Sequence, residues 1–289
     1  MTAKTLQGEE IAKRILSDLK KQIAGKRLKL AVIQVGENAI SETYIRKKEE
    51  AAREIGIDFE LYKFVQEISQ TDLKSRIEAI GKDKTVSGMI VQLPLPKHLN
   101  QQEILDGIPP GKDVDVLSSA SFGFFALGRL PILPPMVGAV SLLLQESHID
   151  LQGKNVVIVG AGRLVGLPLA IWCVQEKATV AVANEYTRDL SSITKEADIL
   201  ISGVGKSKLI QGNMVKKGAL VIDAGTSVES GPSIPPQQAR GRSGRQALLA
   251  GDIDFGSVVK KASFVTPVPG GVGPLTVACL FRNVVALKK

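Results

Sequence analysis

The stretch Asn155-Val-Val-Ile-Val159-Gly160-Ala-Gly162-Arg-Leu-Val-Gly166-Leu-Pro168 decides the fold. Five residues with the composition of a buried strand run directly into a glycine-rich turn, and a helical stretch follows. Glycines there let the chain turn sharply. They also let a pyrophosphate approach amide groups at a helix start, where the helix dipole favours negative charge. The spacing carries one residue more before the third glycine than the usual G-x-G-x-x-G. Glycine-rich turns also close ordinary strand-to-helix connections, so the context carries the reading: a strand before, a helix after and a further strand at Thr179–Ala183. On these grounds Gly160, Ala161, Gly162, Arg163, Val165 and Gly166 are read as a nicotinamide-coenzyme turn, with Thr226 grouped as a further coenzyme contact.

Downstream of that turn, strands at Asn155–Val159, Thr179–Ala183, Ile199–Ile201 and Leu220–Asp223 alternate with helical stretches, the pattern of a doubly wound, Rossmann-like domain. Upstream the alternation begins with Leu6, Ile11, Ile15, Leu19 and Ile23 at helical spacing, then a buried strand at Leu28–Val35. A charged helix at Ser41–Ile55, a strand at Asp58–Phe64, a helix at Thr71–Ile80 and a strand at Val86–Val91 follow. Strands separated by helices imply a second parallel, helix-covered sheet. Past Leu93-Pro-Leu-Pro96 the chain turns irregular, with Pro109-Pro110-Gly111 and Pro131 to Pro135 marking loops before a helix near Gly138–Gln145. The expected class is therefore α/β in two domains. Residues 1–137 together with 267–289 form the first, residues 138–266 form the Rossmann-like second, and the last helix, Gly273 to Leu287, returns to the first. Glu229 to Ala250, rich in Gly and Pro and carrying Arg240, Arg242 and Arg245, has the composition of a mobile loop.

Composition narrows the function classes. A length of 289 residues suits two domains, and 44% hydrophobic with 23% charged residues suits a water-soluble protein with no bilayer-spanning run. The opening residues lack the apolar core of a secretory signal, so a cytoplasmic location is expected. Cys173 and Cys279 sit far apart in apolar runs, as buried free thiols do, and with only two histidines metal chemistry is not expected. The net charge of +8 comes without zinc-finger spacing or a basic helix; an anionic small molecule suits it as well as nucleic acid does, and most of it reads as plain solvated surface with a minor role in attracting an acidic substrate.

The end of the strand after the glycine turn discriminates between coenzymes. An acidic residue there suits the free ribose of NAD, whereas arginine suits the 2′-phosphate of NADP. Asn184-Glu185-Tyr186-Thr187-Arg188 offers both: Glu185 favours NAD, while Arg188 and Arg163 lie nearby in sequence. Both coenzymes stay open.

A second constellation lies upstream. Tyr44 and Lys48, four residues apart in Ser41-Glu-Thr-Tyr44-Ile-Arg-Lys-Lys48, share one helix face, although spacing alone gives a lysine on a charged helix no chemical role. Taken with Gly88-Met-Ile-Val-Gln92-Leu-Pro-Leu-Pro96, Lys112-Asp-Val-Asp115, the Gly160 turn, Gly251-Asp-Ile-Asp-Phe255 and Thr266-Pro-Val-Pro-Gly-Gly-Val-Gly-Pro274, the pair resembles the bifunctional methylenetetrahydrofolate dehydrogenase/cyclohydrolase family over nearly the whole chain. The resemblance implies a folate cleft between the domains, NAD or NADP as coenzyme, a tetrahydrofolate derivative as substrate, and a homodimer. It implies Lys48 as the acid/base residue, Gln92 as its hydrogen-bonding partner, Tyr44 as a ring flanking the folate and Asp115 as the pterin holder. Pro269, Gly270 and Gly271 would let backbone approach the substrate without side-chain obstruction.

Four features depart from the family pattern. Val116 replaces the glycine after the Lys-Asp-Val-Asp block, and Leu133-Pro-Pro-Met136 replaces Pro-Cys-Thr-Pro. Asn184-Glu-Tyr-Thr187 replaces His-Ser-Arg-Thr, and the Glu229–Ala250 segment is extra. Two alternatives stand beside bifunctional catalysis: a dehydrogenase with weak or absent cyclohydrolase activity, and a noncatalytic folate- or nucleotide-binding module. Retention of Tyr44, Lys48, Gln92 and Asp115 together argues against the second.

Overall fold

The computed structural model describes residues 2–229 and 248–288, so residues 230–247 of the Glu229–Ala250 segment lie outside the described residues. The chain divides into two compact units, Glu9–Ala139 with Pro274–Lys289 and Met1–Gly8 with Val140–Gly273. In chain order the elements begin β1 (Lys4–Thr5), α1 (Gly8–Gln22), β2 (Lys29–Val35), α2 (Ala39–Ile55), β3 (Asp58–Phe64), α3 (Gln70–Lys82) and β4 (Gly88–Val91). Next come α4 (Gln101–Leu105), α5 (Ser119–Ala126), α6 (Pro135–Glu146), β5 (Asn155–Val159), α7 (Gly166–Gln175), β6 (Thr179–Ala183), α8 (Leu190–Thr194) and β7 (Ile199–Ser202). The chain ends with β8 (Leu220–Asp223), β9 (Ser227–Glu229), β10 (Leu248–Ala250), α9 (Phe255–Val258), β11 (Phe264–Val265) and α10 (Val272–Ala286).

The first unit is built on a parallel three-stranded sheet in the order β3-β2-β4. Every residue of β2 from Leu30 to Val35 is buried, as a central strand covered on both faces must be. Ala31, Ile33 and Val35 pack with Leu73 and Ile77 of α3, while the alternate residues point to the other face. Outside the sheet, α1 buries Ile11, Ala12, Leu16 and Leu19, and its ends carry Glu9 with Glu10 and Lys20 with Lys21, which complement the helix dipole. The C-terminal helix α10 returns to this unit: the Asn283 side-chain amide donates to the carbonyls of Val114 at 2.9 Å and Leu133 at 2.8 Å. Gly88 of β4 leaves room for that helix, since a Cβ there would stand 3.1 Å from the Val284 side chain.

The second unit carries a six-stranded parallel sheet in the order β1-β11-β8-β7-β5-β6. Its four main strands match the expected positions, with β7 one residue longer. Two edge additions are absent from the sequence reading. β1 pairs with β11 (Lys4↔Phe264, Thr5↔Val265), and this pairing carries the first eight residues into the second unit, unlike the 1–137 span expected for the first. Strands of two residues are too short to show a period. The ends of the Glu229–Ala250 segment also pair, β9 with β10 antiparallel, from Ser227↔Ala250 to Glu229↔Leu248, where composition had suggested a loop throughout.

In both sheets the strand order reverses beside an early strand. β2 lies between β3 and β4, and β5 lies between β6 and β7. Loops leaving the carboxyl ends of the flanking strands diverge at such a point and leave a crevice, the usual ligand position in open α/β sheets. In the first unit that edge carries the entry to α2 after β2 and Gln92 after β4. In the second it carries the Gly160 turn after β5.

Candidate active site

Lys48 lies in the third turn of α2 and Gln92 directly follows β4. The Lys48 Nζ donates to Gln92 Oε1 at 3.0 Å. Gln92 is held from two sides: its backbone amide donates to the Ile33 carbonyl at 2.8 Å, and its Nε2 donates to the Leu93 carbonyl at 2.9 Å. The second bond fixes which end of the side-chain amide faces the lysine. Burial pushes the Lys48 ammonium below the ordinary lysine range, and the Asp115 carboxylate opposes that shift. Asp115 responds in mirror image. Burial pushes its carboxyl above the ordinary carboxylate range, Lys48 opposes, and the neighbouring Asp113 charge adds to the rise. Tyr44 sits half-buried one turn before Lys48 on α2. The four residues singled out in the first unit therefore belong to one neighbourhood at the carboxyl edge of its sheet.

The two acids of Lys112-Asp-Val-Asp115 do different work. Asp113 is fully buried and accepts from the Ser118 amide at 2.8 Å, the Ser118 hydroxyl at 2.6 Å and the Leu117 amide at 3.3 Å. It thereby folds residues 113–118 into a closed loop, while Asp115 accepts no hydrogen bond among the described residues. Sequence reasoning missed the role of Asp113. The available signal was a serine five residues on, placed to donate back. Val116, which stands where the resembled pattern has glycine, has φ 59° and is completely buried. A β-branched residue in the left-handed region is strained, which explains why glycine suits this position.

In the second unit the glycine turn closes against the strand next door. Gly160 has φ 107°, and a Cβ on it would stand 2.8 Å from the Gly203 carbonyl oxygen. A Cβ on Gly203 would collide with the Val165 side chain, and one on Gly166 with the Gly160 carbonyl. Gly203 also went unremarked in the sequence. Its signal was a second glycine at the carboxyl end of the neighbouring strand. Ala161 and Gly162 are exposed, and a Cβ on Gly162 would enter open space. No side chain caps α7 at Val165, and its first turn carries no acid. Such a helix start, with open backbone before it, fits the pyrophosphate of a dinucleotide.

The remaining predicted residues sit as follows. Glu185 and Arg188 are exposed beyond β6, and Arg163 is half-buried in the turn. Asn184 organises the bend between them, its Oδ1 accepting from the Tyr186 amide at 3.0 Å. Thr226 is exposed after β8, with its carbonyl 3.4 Å from where a Gly205 Cβ would lie. Pro269 follows a cis peptide bond from Val268 and is exposed, Gly270 has φ 100°, and Gly271 is buried where a Cβ would stand 2.5 Å from the Pro267 carbonyl oxygen.

Two family models match the chain. The catalytic domain of tetrahydrofolate dehydrogenase/cyclohydrolase matches residues 6–115, and the NAD(P)-binding domain of the same family matches residues 134–289. The bifunctional protein FolD of Agathobacter rectalis is 39% identical over 292 aligned positions, which cover 99% of each chain. Among solved structures, the bifunctional FolD methylenetetrahydrofolate dehydrogenase/cyclohydrolase of Campylobacter jejuni superposes with a TM-score of 0.89 at 37% identity, covering 99% of both chains. The Trypanosoma brucei enzyme, solved with NADP and an inhibitor, gives a TM-score of 0.92 at 33% identity over 99% of this chain and 97% of that one.

The electrostatics of the Lys48 neighbourhood make one outcome directional. Asp115 opposes the fall in the Lys48 pKa, so Asp115→Asn removes that support and the lysine should titrate at lower pH than in the wild type. Side-chain NMR of the Lys48 Nζ across a pH series measures this, and an unchanged or raised midpoint would show that the two charges do not interact.

Proposed function

The chain belongs to the tetrahydrofolate dehydrogenase/cyclohydrolase family, and from that membership we propose how its residues divide the work. It oxidises 5,10-methylenetetrahydrofolate to 5,10-methenyltetrahydrofolate with NAD or NADP, then hydrolyses the product to 10-formyltetrahydrofolate. The observation that carries the assignment of roles is the 3.0 Å hydrogen bond from a burial-perturbed Lys48 to an oriented Gln92, with Asp115 close enough to act on the lysine's charge.

Loss of hydride from the methylene carbon leaves a cation delocalised over two nitrogens. When bound, the nicotinamide coenzyme supplies the acceptor for that hydride. Water then adds to the cationic carbon. The added oxygen must shed its protons and the departing ring nitrogen must gain one before the formyl product is free. A lysine held below its ordinary pKa gives up its proton more readily than its exposed counterpart, the property an acid/base residue needs. Gln92 keeps the ammonium in place through its Oε1. Tyr44 offers a ring face to the aromatic part of the folate, and Asp115 accepts from pterin N–H donors, an interaction that favours its ionised form. Pro269, Gly270 and Gly271 let backbone approach the substrate without side-chain obstruction, a reading that the positive φ of Gly270 supports.

For the coenzyme, Gly160, Ala161, Gly162, Arg163, Val165 and Gly166 hold the pyrophosphate end and Thr226 adds a contact. Glu185, exposed past β6, meets the ribose and favours NAD. The protein works in the cytoplasm, a placement that its two free, buried cysteines support. It forms a homodimer through the second unit, a reading that β6 supports: among the described residues it is an edge strand paired only with β5, and Val182 is 45% exposed on it.

Four measurements test these assignments. Coenzyme reduction should require methylenetetrahydrofolate, and Lys48→Met should slow formyl formation from supplied methenyltetrahydrofolate by about a hundredfold to ten-thousandfold, with a smaller effect on oxidation. Wild-type hydrolysis in the folded variant, after correction for the spontaneous reaction, would remove Lys48 from the chemistry. Glu185→Ser should move the ratio of catalytic efficiencies toward NADP; a ratio that stays put places the ribose elsewhere. Val182→Lys should shift the protein from dimer to monomer in sedimentation velocity, and an unaltered sedimentation coefficient would rule out the β6 edge as the interface.

A further inference from the structure

We propose that Asp252 is a positioning residue for the coenzyme, locking the loop after β7 on which the Gly160–Gly166 turn rests. The proposal rests on reading the second unit as the coenzyme domain. Asp252 is completely buried and forms no salt bridge among the described residues. Its carboxylate spends both oxygens on one loop: Oδ2 accepts from the Ser202 hydroxyl at 2.8 Å and the Val204 amide at 2.6 Å, and Oδ1 accepts from the Lys206 amide at 2.8 Å. Three donors compensate a buried negative charge without a cation, so the loop and the carboxylate hold each other in one arrangement.

That loop contains Gly203, whose carbonyl would lie 2.8 Å from a Cβ on Gly160 and whose own Cβ would strike Val165. Displacing residues 202–206 therefore displaces the wall against which the glycine turn closes. Asp252 is fixed in turn by Asp223, whose carboxylate accepts from the amides of Gly225, Asp252 and Ile253, each at 3.0 Å. The two acids sit where glycines make room: a Cβ on Gly225 would overlap the Asp252 carboxylate, and one on Gly251 the Asp223 carboxylate. Gly225 directly precedes Thr226, so the interlock spans the loops after both β7 and β8 and reaches two parts of the coenzyme site. The Gly251-Asp-Ile-Asp-Phe255 block thus acquires a role that its position in the sequence does not disclose.

The test uses the wild-type chain and two variants. Asp252→Asn keeps size but replaces one acceptor oxygen with a donor that faces an amide N–H. The KM for oxidised coenzyme should rise about tenfold to a hundredfold, the range for one hydrogen bond to a buried charge, while kcat at saturating coenzyme changes little. Hydrolysis of supplied methenyltetrahydrofolate uses no coenzyme and should stay at the wild-type rate. Ser202→Ala removes only the hydroxyl donor and should raise the coenzyme KM by about threefold to tenfold with thermal stability preserved, which keeps the test open should Asp252→Asn fail to fold. Fluorescence titration with reduced coenzyme reads binding directly, so a wild type that binds coenzyme without oxidising folate would refute the proposed function and still test this inference. Unchanged coenzyme affinity in the folded variants, or parallel loss of both activities, would overturn it.

Discussion

A parallel strand cannot be followed at once by its neighbour. The chain must cross back over the sheet, and every connection therefore leaves from the same edge. Both sites depend on that constraint. Where the strand order reverses, at β2 in one sheet and β5 in the other, successive crossovers cover opposite faces and the loops between them part. Lys48 and Gln92 come together, 44 residues apart in sequence, because α2 follows β2 and Gln92 follows β4, two strands that are neighbours in the sheet. The glycine turn opens at the corresponding edge of the larger sheet.

The polar groups at these edges are supported unequally, and the inequality separates scaffold from chemistry. Asp113 and Asp252 are buried acids whose oxygens are taken up by amides and hydroxyls. They stabilise loops, and removing a partner leaves charge uncompensated in a place water does not reach. Lys48 and Asp115 are desolvated with fewer partners, so each is displaced from its ordinary pKa. The site proposed to bind substrate and move protons keeps such capacity open, while the saturated Asp113 holds the loop that carries Asp115. The left-handed backbone of Val116 adds local strain beside Asp115, stored next to a residue proposed to grip the pterin.

Much of this was legible in the sequence, for identifiable reasons. β5 and β6 are unbroken runs of apolar or β-branched residues apart from Asn155, and β3 alternates Phe59 and Leu61 with Asp58, Glu60 and Lys63, so the limits of all three are legible in the sequence. Tyr44, Lys48, Gln92 and Asp115 could be named only through resemblance, since a lysine on a charged helix has no distinguishing period and its glutamine comes from another strand. β1 and β11 escaped because two residues show no alternation, and the assignment of the first eight residues followed from that omission. Short helices such as α4 and α8, five residues each, are set by local caps at Asn100 and Asp189 rather than by a long apolar stripe. Asp113, Gly203 and Asp252 stood within or beside recognisable motifs, yet their work consists of contacts to other loops, which no linear spacing displays.

The interlock at Gly225, Gly251, Asp223 and Asp252 also constrains how this protein can diverge. Each acid occupies the volume that a side chain on its partner glycine would need. A mutation to any larger residue at Gly225 meets the Asp252 carboxylate, and loss of that carboxylate first strands three donors. Neither order of events passes through a comfortable intermediate, so glycine and acid behave as one inherited character rather than two independent positions. The exposed bend at Asn184 to Arg188, proposed to set coenzyme preference, lies outside the quartet, so substitutions there leave the interlock untouched.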